Sequence, residues 1–205
     1  MGWQTLLIVF LLLFSSACIG QVGESMSLKG KKIAMIIAPQ NFRDEEFNIP
    51  YSHFSEKGAT VDVFSTKKGT AKGMFGTNVE VNKTIGGLDV SEYDAIVFVG
   101  GAGTPIVRKE ERALEIAREA VEQNKVLAAI CWAPTILAKA GVLDGKKATV
   151  WVGDDPEYGM KTSKVLEKFN ATFTGEGYTV DGSIVTADGP VNAENFAKEI
   201  AKLLS

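Results

Sequence analysis

Past residue 30, the spacing of hydrophobic positions switches repeatedly between strand and helix periods. Ile33 to Ala38 is an apolar run of strand length, Thr60 to Ser65 alternates with a period of two, and Ala95 to Val99 and Val126 to Ile130 are continuous apolar runs. Such runs are the pattern of strands buried on both faces of a sheet. Helical periods separate them. Asp44 to Lys57 has Asp44 as a cap and Gly58 as a stop, with Pro50 bending it or falling near its first turn. Glu110 to Gln123 places Leu114, Ala117, Ala120 and Val121 on one face, Ala133 to Ala140 stops at Gly141, and Thr162 to Phe169 follows. Gly69 to Lys83 reads as an irregular excursion with a short ribbon around Val79 and Val81, and Ala148 to Val152 as a further strand. Tyr178 to Thr186 reads as a hairpin turning at Asp181 and Gly182, and Ala193 to Leu204 as a closing amphipathic helix. This alternation predicts an α/β domain, a three-layer sandwich with a mostly parallel central sheet and helices on both faces. No repeat or linker interrupts residues 30–205, so one domain is expected there.

Composition narrows the partners. The 205 residues are 45% hydrophobic and 23% charged, enough for one well-buried core. The formal net charge of -3, with basic and acidic residues interspersed, offers no field for a phosphate backbone, and nucleic acid is excluded as an expected partner. The first residues differ from the rest: Leu6 to Phe14 is unbroken apolar sequence, followed by the small residues Ser15, Ser16, Ala17, Cys18, Ile19 and Gly20. Residues 1–20 therefore read as a signal peptide or an N-terminal membrane or lipid anchor. The run falls short of the roughly 20 apolar residues of a spanning helix. No Lys or Arg precedes it. Cleavage before Cys18 would free a lipidatable cysteine, although Ser15 stands where lipoprotein processing usually finds Leu. An exported or membrane-anchored protein is expected, and a cytoplasmic one if the leader does not function.

Only two cysteines are present, and Cys18 lies in the leader, so Cys131 is a lone thiol in the mature domain. The segment Ala128-Ala129-Ile130-Cys131-Trp132-Ala133-Pro134 puts it between a buried strand and a helix start, with small residues around the turn. A helix N-terminus stabilises a thiolate, and ligands of open parallel sheets bind at the carboxyl ends of the strands. Ionisation of Cys131 near neutrality is expected on this ground; the alternative is a small buried hydrophobe. The loop Val99-Gly100-Gly101-Ala102-Gly103 brings bare backbone close, and the amides of Gly101 and Trp132 together form a two-donor oxyanion site. This loop lacks the spacing of a dinucleotide-binding turn, and neither a cofactor nor a metal is expected.

The run Ala129-Ile130-Cys131 with Ala133-Pro134, the strand ending in Gly100-Gly101, the early Asp44-Glu45-Glu46 with Pro50, and the late Asp188-Gly189-Pro190 resemble the ThiJ/PfpI superfamily, within the flavodoxin-like folds of the class I glutamine amidotransferase type. The resemblance covers nearly everything from Lys32 onward. It implies that Glu46, four positions before a Pro, points its carboxyl at the sulfur, where burial should raise its pKa. It also implies a cysteine-dependent hydrolase, glyoxalase-like or deglycase activity on a small-molecule or peptide substrate, and assembly into a homodimer or larger homo-oligomer. Protease-like members carry His directly after the Cys; here Trp132 stands there, and Trp cannot carry a proton. Trp151 likewise replaces a His found near that strand end in other members, and Asp188 stands where carbonyl-directed relatives often have Arg. Gly100, Trp151 and Asp188 are candidate pocket residues, Asp188 otherwise serving an Asx turn. His53, the only His, is expected to be packed or exposed rather than catalytic. A protein whose Cys131 is reversibly oxidised, with no enzymatic role, is the competing expectation, and a small-molecule binding module on a retained scaffold is a third.

Overall fold

The computed structural model describes residues 26–205. Its centre is a seven-stranded sheet formed by β1 (Lys32–Ile36), β2 (Thr60–Ser65), β3 (Lys83–Thr84), β4 (Ala95–Phe98), β5 (Val126–Ile130), β6 (Tyr178–Asp181) and β7 (Ile184–Ala187). The spatial order is β6-β7-β5-β4-β1-β2-β3. Every neighbouring pair is parallel except β6 with β7. The leader, residues 1–20, lies outside the described residues, and no helix among the described residues is long and apolar enough to cross a membrane.

Period-two alternation divides the strands between two cores. Ala34, Ile36, Ile96, Phe98, Leu127 and Ala129 face one side, where α2 (Thr104–Arg108), α3 (Glu111–Glu122), α4 (Pro134–Lys139) and α5 (Thr162–Lys168) pack. Ile33, Met35, Ala95, Val97, Ala128 and Ile130 face the other, covered by α1 (Asp44–Glu56) and α6 (Ala193–Leu204). Burial on both faces explains why β4 and β5 carry no polar residue.

Three expectations are corrected. Asp44 is the first residue of α1 and caps nothing; Arg43 holds the cap position. The Asp44 carboxyl instead accepts the backbone N–H groups of Phe75 at 2.8 Å and Thr77 at 2.7 Å. It thereby ties the tip of the Gly69–Gly73/Asn78–Val81 hairpin to the start of α1. The segment from Ala148 to Val152 is not a strand of the sheet: only Lys147–Ala148 pairs, with Thr172–Phe173. Beyond it the Thr149 N–H donates to Thr186 Oγ1 and the Trp151 N–H to the Cys131 carbonyl, so these contacts replace a ladder. The β6–β7 register pairs Asp181 with Ile184, which moves the turn to Gly182 and Ser183.

Candidate active site

Strand β5 delivers Cys131 to the carboxyl end of the sheet, and the chain reverses there at once. Cys131 has φ 62°, a left-handed conformation costly for a residue with a Cβ. Two backbone bonds fix it: its N–H donates to the Ala187 carbonyl at 2.8 Å, and its carbonyl accepts from the Trp151 N–H at 2.9 Å. The turn therefore throws the sulfur outward instead of along the sheet. Glycine at 100 is required beneath it. A Cβ there would lie 2.4 Å from the Ile130 carbonyl oxygen, 2.6 Å from Cys131 Cβ and 2.7 Å from Glu46 Oε2. Gly101 has φ 111° and leaves no room for a side chain against the backbone of Asn41 and Arg43.

Three successive acids at the start of α1 point three ways, as about 100° per residue requires. Asp44 binds the hairpin tip, Glu45 pairs with Arg43 at the surface, and Glu46 turns inward with no solvent exposure. Neither Glu46 oxygen meets a partner at full hydrogen-bond geometry. Yet the carboxyl stands close enough to the Cys131 side chain for each group to shift the other's ionisation. Burial pushes the Glu46 carboxyl up to about 8, while the sulfur and the Arg43 charge pull it the other way. Pro50 lacks an N–H, so the Glu46 carbonyl loses its ordinary helical partner four residues on.

The expectation of a thiolate near neutrality is corrected. Burial pushes the Cys131 thiol above its ordinary value and an ionised Glu46 pushes it further, against the backbone amides of Gly101 and Trp132, which both reach the sulfur. The helix that follows, α4, is only six residues long and begins three residues later, so its dipole does little to offset burial. Cys131 and Glu46 therefore titrate as a pair. Around pH 8 the Glu46 carboxyl gives up its proton, while the thiol, held above its ordinary value by burial and by that charge, keeps its own.

A cavity of about 330 Å³ opens over the sulfur, lined by Arg43, Glu46, Met74, Gly101, Ala102, Cys131, Trp132, Trp151 and Pro190. Trp132 and Trp151 stand side by side, ring centroids 5.5 Å apart. Of the residues anticipated from sequence, Cys131, Glu46, Gly101, Trp132 and Trp151 come together here, and Gly100 packs directly beneath. Asp188 does not line the cavity; its carboxylate accepts a hydrogen bond from Asn192 Nδ2 at 2.9 Å, and Pro190 takes the wall position. His53 lies away from the cavity, near Lys57 and near Lys198 of α6, and burial and those two lysines hold it below its ordinary value. Arg43 and Met74 escaped notice in the sequence, although Arg43 adjoins the acidic run.

A parallel α/β sheet whose inner strand ends in a strained cysteine, with a buried carboxyl beside the sulfur and two amides upon it, defines a cysteine-elbow protein. The chain belongs to the DJ-1/PfpI family, which it matches over residues 31–203. It is 40% identical over 200 residues to an uncharacterised protein of Methanocaldococcus jannaschii, covering 97% of this chain and 95% of that one. It is 33% identical to the deglycase PfpI of Pyrococcus furiosus, covering 83% of this chain and 98% of the relative. A putative cysteine protease of Bacillus subtilis is 30% identical over 85% of this chain and 98% of its own length. Among solved structures, the ThiJ/PfpI domain protein from Brachyspira murdochii superposes with a TM-score of 0.78 at 30% identity, over 86% of this chain and 97% of that one.

Proposed function

We propose that the protein is a cysteine-dependent enzyme acting on small reactive carbonyl compounds or their adducts, a glyoxalase-like or deglycase activity. One observation carries this reading: the sulfur of Cys131 faces an open-mouthed cavity with the unpartnered Glu46 carboxyl on one side and the amides of Gly101 and Trp132 on the other. In the first step the ionised Glu46 takes the Cys131 S–H proton as the sulfur adds to the carbonyl carbon. The C–S bond forms as the C=O π bond breaks, the electron pair goes to oxygen under the two amides, and Glu46 passes the proton on to that oxygen. The product is a hemithioacetal beside an ionised Glu46, with the total charge unchanged, and that carboxylate is then available as a base. Peptide hydrolysis fits less well, because the leaving amine needs an acid and neither Trp132 nor Trp151 can supply one. Deglycase relatives at about one-third identity support the same choice.

Reversible oxidation of Cys131 is a second reading, favoured by one feature: Glu46 has both oxygens free of partners and could hydrogen-bond a sulfinate. Turnover of methylglyoxal by the wild type, lost in Cys131→Ser, is the expected result. Stoichiometric addition of oxygen by peroxide, seen by intact mass without any turnover, would replace the enzyme with the sensor. Export or anchoring through residues 1–20 and assembly into dimers belong to the same proposal; cell fractionation and light scattering test them.

A further inference from the structure

Trp132 cannot carry a proton, yet the structure spends a buried ion pair on holding it. Its indole Nε1–H donates to Asp155 Oδ2 at 2.9 Å. Asp155, 1% exposed, also takes both terminal nitrogens of Arg108, which is fully buried on the α2 side of the sheet. Arg108 donates in addition to Thr135 Oγ1 at 2.9 Å, and that hydroxyl donates to the Trp132 carbonyl at 2.8 Å. Ring and backbone of Trp132 are thus tied to one guanidinium, which Glu157 and the Tyr158 ring enclose. Although burial opposes it, the bonds from Arg108 and Trp132 hold the Asp155 carboxyl below its ordinary value, so the acceptor stays charged. Buried ion pairs add little net stability over apolar packing, and their better-attested use is to fix one arrangement. The arrangement fixed here is an indole standing against Trp151, 40% exposed, across the mouth of the cavity.

We propose that Trp132 and Trp151 form a specificity site for a flat, apolar substituent next to the reacting carbonyl, and that Asp155, held by Arg108, is a positioning residue that keeps the Trp132 ring in register. The substrate class is then an aryl-substituted or similarly flat α-dicarbonyl, in preference to a methyl-substituted one. This rests on the reading of Cys131 as a carbonyl-directed nucleophile. Size agrees: an apolar cavity of about 150 Å³ admits benzene, and the one here is about 330 Å³, with room left for the carbonyl.

The test uses the full chain and two readouts. In turnover, wild type should favour phenylglyoxal over methylglyoxal by about 10- to 100-fold in kcat/KM, the range for burying one apolar group. Asp155→Asn and Trp132→Phe should each shrink that ratio by about tenfold, with KM for phenylglyoxal rising more than kcat falls. Trp132→Phe keeps one aromatic ring but loses the Nε1–H and the pyrrole part of the indole, so it answers the question should Asp155→Asn fail to fold. In binding, Cys131→Ser should quench its indole fluorescence with acetophenone at a concentration about tenfold below that needed of 2-butanone, and adding Trp151→Leu should erase the difference. Equal affinity for the two ketones, or an unchanged dicarbonyl ratio in Trp132→Phe, overturns the proposal. Should wild type turn over neither dicarbonyl while the ketone preference persists, the enzymatic reading fails and the specificity site stands.

Discussion

Replacing Glu46 by Gln should change how the fold responds to pH. The carboxyl moves from an ordinary value of 4.5 to about 8 on folding, with burial the main cause. Between those values the folded chain keeps a proton that the unfolded chain has released, so stability falls as the pH rises through this window and levels off above it. At 1.36 kcal/mol for each factor of ten, the whole loss is about 5 kcal/mol, a large share of the roughly 5–15 kcal/mol that holds a typical domain together. Gln cannot ionise and escapes it. Near pH 5 both side chains are neutral, and the variant should be no more stable than the wild type, because its amide N–H groups find no better partners than the carboxyl did. By pH 9 the difference should have moved in favour of Glu46→Gln by about 3–5 kcal/mol, read as the change in urea midpoint at constant m-value. Using the difference between the two proteins cancels the other titrating groups. Parallel stability profiles from pH 5 to 9 would refute the reasoning, since they would mean that Glu46 ionises as readily inside the fold as outside it.

Other outcomes follow from the same geometry. Alkylation of Cys131 by iodoacetamide should still be rising at pH 9 in the wild type, because burial and an ionised Glu46 hold the thiol above its ordinary value; Glu46→Gln, which removes that charge, should react about tenfold faster at pH 9, and an unchanged or slower rate would show that the carboxylate does not oppose the reactive form. Gly100→Ala should abolish turnover and slow alkylation at least tenfold, because its Cβ would collide with Cys131 and Glu46; wild-type alkylation kinetics would contradict this. Arg108→Ala, which leaves the Asp155 carboxylate buried without its cation, should cost about 3–5 kcal/mol and lower the melting temperature by about 10 °C, measured by calorimetry.

Strands β1, β2, β4 and β5 and the long helices were readable because each is long enough for its apolar period to declare itself, and because both faces of the sheet are covered. Cys131 and the Gly100-Gly101 turn were readable for a related reason: small residues and glycines mark where backbone must come close. What escaped depends on contacts far along the chain. Asp44 looks like a cap until the Phe75 and Thr77 amides, more than thirty residues away, claim its carboxyl. Ala148 to Val152 has strand-like composition, but side chains and neighbouring turns take its hydrogen bonds. Arg108 and Asp155 are 47 positions apart and no periodicity links them. The protonation of the sulfur was misjudged because a local rule about helix ends was applied without the depth of burial or the carboxyl that shares the site.

Cys131 packs against the core beneath α1 and α6, and its neighbour Trp132 is held from the other. Glu46 reaches it from the layer of α1 and α6, while Trp132 is braced by Arg108, Thr135 and Asp155 in the opposite layer. A loosening on either side of the sheet should therefore be felt at one atom. The reactivity of that sulfur doubles as a gauge of how tightly both halves of the sandwich are closed.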